Sequence, residues 1–217
     1  MDDDKIEAVG KALRSDDNRL QAIGVVSKVD PLPQRLVESW IDDIVFALKV
    51  ENNLYNKYQI LEELERIAKT YPQVATRCVP VVARELNDGL QNLNGDEPSS
   101  SKKVDWCTSI LQAIVEGTES DDDFPDVSLD HLDAFFEQGD AVQRSLGYRL
   151  LGRIATPQAI RELVEEPSYE VDSVLSSRKV ALQDAGGIVA SALGSNGHLT
   201  TVEAIISFSE LYATGAI

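Results

Sequence analysis

Thiols, imidazoles and cations are all scarce in this chain of 217 residues: two cysteines, two histidines, and 20 lysines and arginines against 37 aspartates and glutamates. Each shortage closes off a class of function. Cys78 and Cys107 do not make a disulfide framework, which needs several cysteines and an oxidising compartment. Both sit in apolar helical patterns, where a free thiol behaves as a small core residue. His131 stands beside Asp130 and Asp133, and His198 follows Gly197. Neither has a second His or Cys nearby, so the ligand set of a zinc site is missing and no metal or cofactor is implied. No apolar run approaches the roughly 18 residues that a membrane-spanning helix needs. The acidic start, Met1 to Lys5, is the reverse of a secretory leader. These features predict a soluble, cytoplasmic protein without a membrane partner.

The shortage of cations leaves a net charge of −17, which repels nucleic acid and anionic lipid. Two explanations compete for it: a docking patch for a basic partner, or acid spread over the whole surface as in proteins of salt-adapted organisms. Aspartate outnumbers glutamate, lysine is rare and acids occur in nearly every segment, which favours the second. Molar salt shortens the screening length to about 3 Å and would quench the self-repulsion. The melting temperature is therefore expected to rise between dilute buffer and molar salt. A midpoint that is flat or falls would remove the halophilic reading.

What the chain does have is apolar residues three and four apart almost throughout. Trp40, Ile41, Ile44, Val45 and Leu48 form one stripe. Ile60, Leu61, Leu64, Ile67 and Ala68 form another, as do Cys107, Ile110, Leu111, Ile114 and Val115, and Leu146, Leu150, Leu151 and Ile154. This is the helical period, and no segment alternates as a half-buried strand does. Trp40 shares the Ile44 stripe and reads as core. The cap and break residues place helices over 3–14, 18–28, 33–49, 54–70, 73–91, 103–116, 128–137, 140–154, 157–165, 169–193 and 199–214. Ser15, Asp16 and Asp17 read as a capping cluster, Thr156-Pro157 as a cap with proline at the first helical position, and Gly139-Asp140 as an end followed by a cap. Gly24, Gly147, Gly152, Gly186 and Gly187 fall inside helical patterns, where close approach of a neighbouring helix would offset their cost. For Gly186-Gly187 a break in the helix is the equal alternative.

Three helices begin with one dipeptide: Pro33-Gln34, Pro72-Gln73 and Pro157-Gln158. The spacings are about one and about two units of roughly 40 residues, the length of a two-helix repeat. The segment from Ser15 to Val26 has an acidic cap, a basic residue one turn in, and a small and aliphatic face. The segment from Gly139 through Asp140, Arg144, Leu146, Leu150 and Ile154 to Thr156, Ala159 and Leu163 carries the whole two-helix pattern. These segments resemble units of the HEAT-repeat family. The resemblance implies an all-α fold, an α-α superhelix of about five helical hairpins in a single domain over 1–217. Polar loop insertions are expected near 92–103 and 117–127. In the family the second helices of successive hairpins line a concave groove that holds a peptide or protein. A lone hairpin cannot bury its stripe, and stacking makes one continuous core.

Motifs for catalysis are missing. Gly147 to Gly152 has half the spacing of a phosphate loop but lacks the following Lys-Ser/Thr and lies within a helix. The run Asp121, Asp122, Asp123, Phe124, Pro125, Asp126 lacks the glycine and distal glutamate of a calcium loop and reads as a solvated linker. Asp42-Asp43 and Glu62, Glu63, Glu65 read as solvated helix faces. The chain is therefore expected to be a non-catalytic scaffold or adaptor for a protein or peptide partner. Arg77, Arg84 and Arg161 are candidate contacts on second helices, with Gln34, Gln73 and Gln158 at the groove rim; ordinary ion pairing is the competing account of the arginines. The alternative is a subunit of a permanent assembly or a homodimer, packing through Val202, Ile206, Phe208 and Leu211 of an apolar last helix. Third come relatives of the repeat family that resemble DNA-repair glycosylases, whose basic groove is not evident here, or bilin lyases.

Overall fold

The computed structural model describes residues 2–93, 98–119, 124–164 and 171–194. All regular structure among them is helical. The chain divides into two compact units, Met1–Thr118 and Glu119–Ile217.

In the N-terminal unit, α1 (Asp3–Leu13) is capped by the Asp2 carboxylate, which accepts from the Lys5 N–H. It leads through a turn into α2 (Arg19–Val26). The expected capping cluster does not cap α2: no side chain does, because the Asp16 carboxylate is taken by the Arg19 guanidinium at 2.6 Å. Next come α3 (Gln34–Val50) and α4 (Leu54–Thr70), the latter capped by Asn53. The helix expected over 73–91 is broken into α5 (Pro72–Ala75), a 3-10 turn at Thr76–Cys78, and α6 (Val79–Gln91). Pro80 explains the break, since it has no N–H to return to the Thr76 carbonyl. α7 (Pro98–Gly117) starts earlier than the apolar pattern suggests, so 98–103 is helix rather than inserted loop. Ser99 to Lys103 carry no apolar stripe that would have announced it.

α1 packs on α2 and α3, α3 on α4, α2 on α4, α6 on α7, and α4 on α7. α4 and α7 run in the same direction, as Tyr58 meets Trp106, Glu65 meets Ser109 and Gln73 meets Gly117. The hairpins are thus α1–α2, α3–α4 and α6–α7. The Pro-Gln starts at residues 33 and 72 open hairpins here, whereas the sequence reading had them closing hairpins. Arg77, Arg84, Gln34 and Gln73 accordingly fall on first helices or at their starts. Three of the four stripes form the core of this unit, with every residue of the Ile60 to Ala68 and Cys107 to Val115 sets buried and Val45 at the margin; the fourth is buried within the other unit except for Ile154 at its margin.

Two ionic links, one buried and one half-buried, tie helices of this unit together. Arg19 donates to the Leu13 carbonyl and to Glu51, whose other oxygen accepts from the N–H groups of Asn52 and Asn53. Arg66 bonds Glu63 and reaches the Val26 and Val29 carbonyls at the end of α2. These bonds satisfy carbonyls that a helix end leaves open.

The C-terminal unit has a 3-10 turn at Leu129–His131 followed by α8 (Asp133–Glu137), where one helix over 128–137 was expected. Then come α9 (Ala141–Ile154), α10 (Pro157–Val164) and α11 (Asp172–Gly194). Asp140 and Gln143 form a reciprocal capping box on α9, and the Thr156 hydroxyl accepts from Ala159, as their spacing suggests. α9 packs on α10 and, over a long seam, on α11. Gly152 permits that seam: a Cβ there would lie 2.6 Å from the Ala181 carbonyl oxygen. Gly147 faces the Phe136 ring in the same way, at 2.8 Å. Gly24 and Gly187 do not follow suit, since a Cβ at either would meet open space, and α11 runs through Gly186-Gly187 without a break. The helix expected over 199–214, with Val202, Ile206, Phe208 and Leu211, lies outside the described residues.

Candidate functional site

Four of the six residues singled out from the sequence find local partners. Arg77 is exposed and pairs with Asp42 of α3 at 3.2 Å. Arg84 lies 3.6 Å from Glu85. Gln34 donates to Glu38 one turn on, and Gln73 to the Gly117 carbonyl. Arg161 and Gln158 are exposed on α10, in the other unit. None of the six is hydrogen-bonded to another. The ion-pair account of Arg77 and Arg84 is the one their geometry matches.

A different cluster is assembled at the seam of α4 and α7. The Tyr58 and Trp106 rings meet at 5.2 Å between centroids, tilted by 52°, a geometry in which one ring's edge meets the other's face. The Lys102 ammonium lies 4.5 Å from the Trp106 centroid and 5.7 Å from that of Tyr58, within cation–π range of both. Residues 102 and 106 are one turn apart on α7, which places the ammonium over the indole. The lysines next to Tyr58 and Lys102 in sequence reach Glu85 of α6, whose side chain is only 3% exposed. Lys57 of α4 bonds it at 2.7 Å and Lys103 of α7 at 3.3 Å. Burial opposes the Glu85 charge, but the Lys57 hydrogen bond and the attraction of Lys57 and Lys103 outweigh it, so its carboxyl titrates below the ordinary range. Lys57, Lys103 and Arg84 thus share one buried carboxylate, a local cationic island, and Lys102 precedes Lys103 on α7.

The sequence did carry a trace of this site. Lysine is rare in the chain, yet Lys57-Tyr58 and Lys102-Lys103 with Trp106 place it next to aromatics on two helices. The trace went unread because only packing brings the two helices together.

Other groups are arranged for structure. Cys78 and Cys107 are fully buried, as their apolar setting suggests; burial pushes the Cys78 thiol up to about 12 and that of Cys107 higher, so neither is a thiolate nucleophile near neutrality. Among the acidic clusters, Asp42 and Glu62 are exposed as expected, but Glu63 is buried against Arg66, and Glu65 is held by Lys69 and Ser109. Burial of Glu65 is outweighed by those two bonds, and its carboxyl is lowered. His131 is half-buried rather than a surface residue, and its Nδ1 lacks a hydrogen-bond partner among the described residues. No three His, Cys, Asp or Glu are placed to hold a metal ion among the described residues, and no described helix is long and apolar enough to cross a membrane. No protein-family model, curated protein or solved structure matches the chain.

Proposed function

We propose that the chain is a non-catalytic interaction scaffold, a short HEAT-like α-solenoid whose N-terminal unit takes a protein or peptide segment on its second helices, α2, α4 and α7. The observation that carries this reading is where apolar surface is left open. In the helices of this unit the exposed large apolar side chains are Leu20 and Val25 on α2, at 40% each, and Leu54 and Tyr55 on α4, Tyr55 at 66%. The first helices α1, α3 and α6 leave none exposed among the described residues. A solvated face without a partner has no need of such a bias, whereas a docking face gains from it. The order of helix packing, first on first and second on second, is that of stacked hairpins and supports the solenoid reading.

The test is affinity capture with three forms of the full chain. The double variant Leu20→Ser/Tyr55→Ser is expected to lose whatever the unaltered chain retains in stoichiometric amount. The first-helix variant Arg77→Glu/Gln73→Ala is expected to keep it. The same retained set on all three forms, or nothing retained on any, would sink the proposal.

A further inference from the structure

We propose that the α4–α7 seam takes an acidic peptide segment of its partner, with carboxylates drawn to the Lys102 side of the platform and an aromatic or aliphatic side chain laid against Tyr58 and Trp106. This rests on the docking face proposed above and names the chemistry of its occupant.

Charge complementarity is the main argument. Many cations elsewhere in the N-terminal unit are paired, Lys5 with Asp2, Lys11 with Glu7, Arg14 with Asp43, Arg35 with Asp3, Lys69 with Glu65 and Arg77 with Asp42, while Lys28 and Lys49 are exposed, pair with no described acid and have no aromatic platform beside them. Around Glu85 cations outnumber acids, although Glu65 of α4, bonded to Ser109, and Asp105 of α7 add acid to the same seam. Glu85 faces inward and is shared by Lys57 and Lys103, with Arg84 beside it. Lys102 forms no ion pair with a described residue, although Asp105 stands one turn along the same helix. Its ammonium is held over two rings instead, exposed and with no counter-charge among the described residues.

The indole supplies the second argument. Trp40 is buried and its Nε1–H donates to the Ile6 carbonyl at 2.9 Å. Trp106 is only half-buried, and its Nε1–H finds no acceptor among the described residues. A half-open indole with a spare donor beside an uncompensated ammonium suits a ligand that brings both acceptors and an apolar group. A nucleic acid would bring acceptors and rings too. Its continuous backbone charge, however, must meet the whole chain at −17, whereas a short acidic segment places a few carboxylates on one local island.

The experiment uses the full chain and follows Trp106 emission, with Trp40 as a buried constant. Four probes are titrated at about 0.15 M salt, where screening acts over about 8 Å: peptides of equal length alternating Phe with Glu, with Gln or with Lys, and an oligothymidylate. The Glu–Phe peptide is expected to bind about five- to tenfold tighter than Gln–Phe, and Lys–Phe more weakly than either. Lys102→Glu is expected to abolish that preference while leaving the circular dichroism unchanged, because Lys102 is exposed. Lys5→Glu, at an exposed residue of α1, is expected to leave it intact. Equal binding of the Glu and Gln peptides, tighter binding of oligothymidylate, or no effect of Lys102→Glu would overturn the proposal. If the Gln or Lys peptide binds best and Leu20→Ser/Tyr55→Ser abolishes it, the acidic occupant is wrong and the docking face stands. If no probe binds and that double variant also loses nothing in affinity capture, both readings fall.

Discussion

Trp40→Ala is expected to destabilise the N-terminal unit by roughly 3–5 kcal/mol, a large share of the roughly 5–15 kcal/mol that holds an ordinary domain. Trp40 is 1% exposed and is among the largest fully buried side chains of the chain. It stands on α3 and reaches α1, where its Nε1–H donates to the Ile6 carbonyl. Gly10 lies against the Asp43 carboxylate, with the edge of the indole at 4.0 Å from where a Cβ would stand. Truncation removes the apolar area and leaves a cavity that a helix pair tied at both ends, through Arg14–Asp43 and Arg35–Asp3, cannot easily close. Trp40→Phe keeps most of the volume and gives up one hydrogen bond, worth about 0.5–1.5 kcal/mol, so its loss should be clearly smaller. Urea unfolding of the two variants measures the difference, and hydrogen exchange should show α1 losing protection first in Trp40→Ala. A midpoint for Trp40→Ala within about 1 kcal/mol of the unaltered chain would mean that α1 does not depend on this side chain.

That prediction rests on a residue whose place was readable from sequence alone, and other features were not. Trp40 falls in register with Ile41, Ile44 and Leu48, and helical periodicity needs nothing beyond neighbours along the chain. The same reasoning located the helices in the described residues, apart from the break that Pro80 imposes, the early start of α7 and the 3-10 turn that precedes α8. The three Pro-Gln dipeptides do stand at helix starts, but how the helices pair was not legible. A series of alternating helices can be cut into hairpins in two ways, and only the packing of α3 on α4 and of α6 on α7 shows which applies to the N-terminal unit. This shift of one helix moved the candidate contacts Arg77 and Arg84 onto first helices and left Tyr55, Tyr58 and Trp106 on second ones. Burial of charge was equally hidden. Glu63 and Glu85 look like ordinary polar positions until partners arrive from elsewhere, and the two lysines that hold Glu85 come from 28 residues before it and 18 residues after it.

Glu85 accordingly gives the second large effect. Glu85→Leu leaves Lys57 and Lys103 facing an apolar side chain in a desolvated seam. The expected loss lies toward the lower end of the roughly 3–5 kcal/mol that follows removal of one partner of a buried pair. The lower end applies because Lys57 and Lys103 keep 18% and 13% exposure and can turn toward water along their stems. The triple variant Glu85→Leu/Lys57→Met/Lys103→Met removes the stranded charges as well, and should recover most of the loss, because desolvating three ions offsets much of what their attraction supplies. The pH dependence has a definite sign. The folded state holds the Glu85 carboxyl below its ordinary value of 4.5, so the unfolded chain binds the proton first. The stabilisation is complete above about pH 5 and is lost as pH falls through the lowered folded value. Glu51 and Glu65 are also lowered, so the unaltered chain should lose stability steadily on acidification, and Glu85→Gln should lose less over the same window while starting from a lower plateau. Urea midpoints measured from neutrality down to about pH 3 decide the matter. A Glu85→Gln curve parallel to that of the unaltered chain, or a triple variant no more stable than Glu85→Leu, would mean that the charge at residue 85 does not hold the α4, α6 and α7 seam together.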